Sequence, residues 1–315
     1  MNWGQLAITV VTLVSILGVV TLVLNMQYGH AGLINFGVVA YFAAGAYTYV
    51  LLTQAPPSEA SLDQYAIGLD LPAWAGLAGA AVAGLVFAAI TGWPTLRLRG
   101  EYLALTTFAF AEVFHSFIVN EQRFANGTRG LVGVPRPYRE ELSFIDYDIA
   151  LAVAALVFLI IAYVIFERIV RSPYGRALEA LRDDELALVT SGKRSRRFRL
   201  EIFLFTAPFA AMAGAFYIWY TTLAIPDLFT AEVTFIVWIA LVLGGEGSNR
   251  GALIGITLVI LFEELIRAIP FDTIRAAQIA ASLEVAALGL LLIIFLRWQP
   301  FASLTRAPKR VARSG

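Results

Sequence analysis

The chain has 315 residues, 59% of them hydrophobic and only 15% charged, with a mean hydropathy of +0.75 and 23 basic side chains balancing 23 acidic ones. That apolar content is far above that of ordinary soluble domains, and no charged side chain precedes Glu59, so the N-terminal part has no soluble surface and a membrane protein is implied. Cysteine is absent, which excludes disulfides, thiolate metal sites and cysteine nucleophiles.

A helix needs about 20 mainly apolar residues to cross roughly 30 Å of hydrocarbon, and nine stretches are candidates. The first, 5–24, has no basic leader or A-x-A-like cleavage site and reads as a retained span. The second, 31–53, is rich in glycine and carries Asn35. It and the short stretch 231–245 are candidates for broken or re-entrant segments, which lipid allows only where protein or a water cavity satisfies the backbone. Gly29, Gly32, Gly37 and Gly45 in or near the second stretch, and Gly76, Gly79 and Gly84 in the third, 73–93, read first as close-packing positions. Gly29 and Gly32 have a second reading, as a break whose free backbone groups face a substrate.

The fourth stretch, 101–119, contains Thr106, Thr107 and the pair Glu112 and His115, three residues apart. A charge at the centre of a span costs about 2.5–3.5 kcal/mol. Glu112, His115, Asn35 and Thr106 are therefore candidate pathway groups, with a polar pair that only fixes packing as the other reading. After the fifth stretch, 149–167, comes the most unusual segment, 168–200, which holds nine of the 23 basic residues. Ser172-Pro173 predicts a helix start and Gly192 a stop. Between them Ala177, Leu181 and Leu188 form one stripe, with Leu178 and Val189 beside it and Asp184 and Glu185 at its edges. The spacing predicts a short amphipathic helix along the membrane, resting on lipid headgroups or docked on a protein partner, and the acids favour the partner.

Beyond 201–221, Gly244, Gly245 and Gly247 predict a tight turn. The stretch 251–268 brings Glu263, Glu264 and Arg267, with Glu263 and Arg267 spaced for an ion pair. The last stretch, 280–297, carries Glu284, and the tail 306–315 is basic. Placing 168–200 in the cytoplasm puts 17 of the 23 basic residues inside, with the N-terminus outside and the C-terminus inside. No G-x-x-x-x-G-K-[ST] phosphate loop occurs; the nearest string is Ser191-Gly192-Lys193-Arg194. Two distant histidines offer no metal site, no residues recommend a hydrolase triad, and the basic loop lacks the aromatic platforms of a nucleic-acid surface. No cofactor is expected.

Five blocks carry a resemblance: NMQYGHAGLINFGVVAYFAAGAYT (25–48), LRLRGEYLALTTFAFAEV (96–113), NGTRGLVGVPRP (126–137), RSPYGRALEALRDDELALVTSG (171–192) and LVLGGEGSNRGALIGI (241–256). In this order the chain resembles LivM-type permeases of branched-chain amino acid ABC importers. It departs from that pattern at Leu188 and Thr190, at Gly37-Val38 and at Glu246. The resemblance implies ATP-binding cassette subunits as partners, a second paralogous permease chain forming a heterodimer, and an extracytoplasmic substrate-binding protein. It also implies that Gly175, Asp184, Glu185 and Gly192 lie in the helix that couples to the ATPase. The expected fold is an all-α, polytopic transmembrane bundle of about nine spans (eight to ten) with a short cytoplasmic coupling helix. Residues 1–305 would form the permease domain and 306–315 a cytoplasmic tail. The expected function is a non-enzymatic permease subunit importing branched-chain amino acids by alternating access. The alternatives are a urea or short-chain amide permease of the same fold, or an ion-coupled secondary carrier using Glu112 and His115.

Overall fold

The structure, a computed structural model, describes residues 3–56, 67–95, 97–98, 100–139, 141, 143–267, 286–287 and 289–290. The first helix, α1 (Trp3–Leu24), is apolar on every side and is buried throughout from Ser15 onward, as an all-round hydrophobic helix must be. It runs on into a π-helical turn, Asn25–His30, to give one 28-residue apolar segment. The chain then breaks. Residues 31–37 form no helix, Gly32 turns it with φ +70°, and α2 (Val38–Thr53) starts afresh. The glycine-rich second stretch is thus a broken element, with the break at its N-terminal end.

Next come α3 (Ala73–Thr95), α4 (Glu101–Asn120) and the single turn α5 (Gln122–Ala125). A two-residue strand, β1 (Leu131–Val132), precedes α6 (Phe144–Val170), which Ser143 caps by accepting from the Asp146 N–H. The basic segment folds as α7 (Pro173–Asp183) and α8 (Glu185–Thr190), not as one helix. Then follow α9 (Ser195–Thr221), β2 (Leu223–Ala224), α10 (Ala231–Gly244) and α11 (Asn249–Arg267). Among the described residues six segments are long and apolar enough to cross a membrane: Trp3–His30, Ala73–Thr95, Glu101–Asn120, Phe144–Val170, Ser195–Thr221 and Pro226–Gly244. The last includes a 3₁₀ turn, Pro226–Phe229, which lengthens the short stretch expected at 231–245. The helix α2 is shorter, and α11 carries Glu263, Glu264 and Arg267 near its end. The expected ninth span at 280–297, with Glu284, lies outside the described residues apart from four positions, as does the tail 306–315.

The described residues form an all-α bundle, relieved only by the β1–β2 pair, in which Leu131 faces Ala224. Its centre is formed by α2, α3 and α9, each packed against the other two. Glycine makes these crossings possible. A side chain on Gly45 would strike the Ala211 backbone, and one on Gly214 would strike the Phe42 carbonyl. Gly255 likewise lies against the Ala240 carbonyl where α10 and α11 cross. Tyr41, Phe42, Tyr47 and Tyr49 of α2 fill the centre, meeting Phe203, Tyr217, Phe229 and Trp219.

The loops sort to two ends. At one, Gln54 Nε2 donates to the Val132 carbonyl at 3.2 Å and Tyr49 Oη to that of Pro135 at 3.3 Å. At the other lie the π turn, the α3–α4 connection, the basic segment and the Gly244–Ser248 turn. Arg199 Nη1 there donates to the Leu98 carbonyl at 3.3 Å, and Arg196 Nη2 to that of Trp93 at 3.5 Å.

Candidate functional site

The basic segment is fastened to the bundle before it can meet anything else. Ser172 Oγ caps α7, accepting from the N–H groups of Tyr174 (3.1 Å) and Gly175 (3.3 Å), with Pro173 in the first turn. Gly175 lies so close to the carbonyls of Ile169 and Val170 that no Cβ fits, so α7 folds back tightly on the end of α6. Tyr174 stacks on Phe198 with ring centroids 5.3 Å apart. Burial, reinforced by the nearby Glu201 carboxylate, pushes the Tyr174 hydroxyl pKa well above that of an ordinary tyrosine. Ala177, Leu178, Leu181 and Leu188 are all buried. The stripe read from the sequence as a docking face therefore points into its own bundle, and the surface open to a partner is the opposite one.

The helix breaks at Asp184, whose backbone is extended (φ −154°, ψ 96°) and whose Oδ1 accepts from Leu186 N at 2.9 Å. That bond starts α8. Glu185 Oε2 pairs with Arg199 Nη2 at 2.7 Å, the two side chains 19% and 10% exposed, which fixes α8 to the first turns of α9. Gly192 follows with φ +81°, a conformation that suits glycine and ends the segment. Of the four sequence candidates, Gly175, Glu185 and Gly192 thus shape the segment, and Asp184 is exposed at its corner. The open face also holds Arg176, Asp183 and two aliphatic side chains, Leu186 (71% exposed) and Val189 (47%).

Directly behind α7 lies a buried polar network centred on the break. Asn25 Nδ2 donates to Asn249 Oδ1 at 2.9 Å, and Asn25 Oδ1 accepts from Gly247 N at 2.9 Å. Asn249 Nδ2 donates onward to Glu167 Oε2 at 3.0 Å, and Glu167 pairs with Arg171 at 2.7 Å. A second branch begins at Gln27, which donates to Thr206 Oγ1 and accepts from Asn35 Nδ2, both at 2.8 Å. Asn35 Oδ1 accepts from Gly37 N at 2.7 Å, while Trp238 Nε1 donates to the Asn35 carbonyl at 3.1 Å. Phe36 N donates to Thr107 Oγ1 at 3.1 Å. Apart from the exposed Glu167–Arg171 pair, these bonds satisfy buried or partly buried polar groups that would otherwise cost about 1–3 kcal/mol each. Asn35, fully buried, is thereby a clasp across the break that ties α2 to the π turn and α10.

The α4 candidates are in a different situation. Thr106 Oγ1 donates back to the Tyr102 carbonyl at 2.6 Å. Glu112 and His115 are half-buried on one edge of the helix, and no hydrogen bond or ion pair joins them. His115 Nε2 is buried with no partner among the described residues. At the end of α11, Arg267 meets Glu264 at 3.1 Å and Glu263 only at 3.9 Å, so its closer partner is the residue three positions back. No cluster of three metal-ligating side chains occurs among the described residues. At the opposite end of the bundle a depression of about 620 Å3 is lined by Val134, Arg136, Tyr138, Arg139, Glu141 and Thr222.

Sequence reading missed Asn25, Gln27, Asn249, Glu167 and Arg199. The only signal for the first two was polarity in NMQYGH at the end of a long apolar run. Their partners lie as far as 224 residues away.

Residues 6–296 match the family model described as "Branched-chain amino acid transport system / permease component". The chain is 31% identical to the high-affinity branched-chain amino acid transport system permease protein LivM of Escherichia coli K12, over 93% of this chain and 68% of the relative. Against the protein of the same name from Salmonella typhimurium the identity is 31%, covering 94% and 69%. The probable branched-chain amino acid transport permease protein LivM of Methanocaldococcus jannaschii is 26% identical over 92% of this chain and 90% of its own. No solved structure matches.

Proposed function

The chain belongs to the branched-chain amino acid transport permease family, and from that premise we propose how it works. It is a multi-pass membrane subunit of an ABC importer for branched-chain amino acids, and it is not itself an enzyme. The ATPase activity belongs to a partner chain. A second permease chain pairs with it as a heterodimer, and a binding protein outside delivers the substrate. The end bearing the basic segment is cytoplasmic, where the positive-inside tendency puts it, and α1 then begins outside. The opposite end, with its depression around Arg136 and Arg139, faces the binding protein.

One observation carries the coupling role. The segment α7–α8 is locked to the bundle by Ala177, Leu181, Leu188 and the Glu185–Arg199 pair, yet it leaves Leu186 and Val189 in the open. Exposed aliphatic side chains on a polar loop suit a cleft in a partner protein, and Asp184 marks the corner that would enter it. Closure of the ATPases on nucleotide would move this corner, and the bundle would switch between outward- and inward-facing forms. The ion-coupled carrier reading of Glu112 and His115 gives way to this one.

The test is Leu186→Asp with Val189→Asp, assayed by co-purification of the ATPase subunits and by uptake. Burying a leucine is worth about 1.5–3 kcal/mol, so attachment should weaken about tenfold or more, at 1.4 kcal/mol per factor of ten. Unchanged attachment and uptake, with normal protein level in the membrane, would remove the docking role.

A further inference from the structure

One arginine on α7 reaches past the docking surface into the bundle. Arg182 Nη1 donates to the Gly29 carbonyl inside the π turn. Its side chain occupies a slot that exists because three positions lack side chains. A Cβ on Gly32 would stand 3.0 Å from Arg182 Cγ and 3.1 Å from its Cα, and one on Gly247 would stand 3.1 Å from Nη1. A Cβ on Gly29 would run into the Gly247 backbone and the Asn25 side chain. Gly32 and Gly247 also have φ of +70° and +78°, so the slot walls are turns that suit glycine. Asp183 Oδ1 holds the arginine Nε from outside at 2.9 Å. One turn earlier on α7, Glu179 Oε1 lies 3.9 Å from His30 Nδ1, a second touch on the π turn.

The slot joins three parts of the chain at one point: α7, the end of α1, and the turn between α10 and α11. What it grips is the base of the buried network. The π turn carries Asn25, bonded to Asn249 of α11, and Gln27, bonded to Thr206 of α9 and to Asn35 at the start of α2. A π turn is an uncommon geometry that marks functional positions in helices. A guanidinium is a planar multi-donor group that resists displacement by lysine at such sites.

We propose that Arg182 is the positioning residue through which displacement of α7–α8 is passed to the π turn and to the α10–α11 turn. It touches no substrate. It keys the cytoplasmic helix to the broken second element, so that the ends of α1, α10 and α11 move with α7. This deepens the reading of α7–α8 as the ATPase-coupling segment and rests on it.

The experiment uses the complete importer, with this chain, its second permease, the ATPase subunits and the binding protein, reconstituted in vesicles with leucine as probe. Leucine uptake and ATP hydrolysis are measured together. For Arg182→Ala and Arg182→Lys, leucine moved per ATP hydrolysed should fall about tenfold, roughly the effect of one charge-assisted hydrogen bond. Attachment of the ATPase and protein level should stay unchanged. Gly247→Ala, which intrudes on the slot, should lower the same ratio, and Arg182→Ala with Gly247→Ala should be no worse than Arg182→Ala alone, because contacting residues are not additive. An unchanged ratio in Arg182→Ala, or additive losses in the double variant, overturns the keying role. Loss of ATPase attachment in Arg182→Lys also overturns it, by making Arg182 part of the docking face. The Leu186→Asp and Val189→Asp pair separates the two levels. If that pair breaks attachment while Arg182→Ala keeps its ratio, only the keying role fails. If that pair changes nothing, the docking reading fails with it.

Discussion

Two acidic positions singled out in the sequence end in opposite circumstances. Glu185, in the basic segment, is mostly buried and paired at 2.7 Å with an arginine that is itself mostly buried. Glu112, in the membrane-length helix α4, is half-buried with no hydrogen bond or ion pair among the described residues, next to a His115 whose Nε2 likewise has no partner there. A buried carboxylate that has found its cation is part of the scaffold, and its removal strands a charge. A carboxylate at membrane depth with no partner among the described residues needs water, substrate or further protein to offset its cost. The same residue type thus marks fixed structure at one end of the protein and a candidate pathway in the middle.

The largest expected effect tests the fixed side of that contrast. Glu185→Ala leaves Arg199 in a nearly closed site, and breaking one partner of a buried pair costs about 3–5 kcal/mol. Thermal unfolding in detergent should show a marked loss, and uptake should fall with protein level, not independently of it. A variant with normal stability and defective uptake would move Glu185 to the functional side. Next in size is Asn35→Ala. It deletes the bonds to Gln27 and Gly37 and orphans groups in a buried network, for about 1–3 kcal/mol. If stability is retained while substrate affinity changes, Asn35 lines the pathway and is not merely a clasp.

The sequence made the local features legible and left the distant ones hidden. Ser172-Pro173 announced the start of α7 because a cap and a first-turn proline act within four residues. The glycine-rich second stretch announced a broken element for the same local reason. Asp184 was not legible as a helix break, because the apolar stripe continues through it from Leu181 to Leu188. Which way that stripe faces was also hidden, since a helical period fixes a face without saying what covers it. The stripe turned inward here because α6 and α9 supply the apolar cover. The Asn25–Asn249 and Gln27–Thr206 bonds join residues more than 170 positions apart, and periodicity carries no information at that range.

The smallest stability effect decides the open side of the comparison. Glu112→Gln keeps shape and hydrogen-bonding capacity and removes only the charge. Among the described residues that charge supports no bond, so thermal stability and membrane level should change by less than about 0.5 kcal/mol, the range of substitutions that break no named interaction. If Glu112 faces the substrate path, the KM for leucine should rise about threefold or more with stability untouched, the signature of a lost binding interaction. His115→Gln should then give a change of the same kind, because the two lie on one edge of α4. If instead Glu112→Gln raises stability and leaves KM unmoved, the carboxylate lies buried against protein and serves packing alone. The contrast with Glu185 would then be one of pairing and not of function.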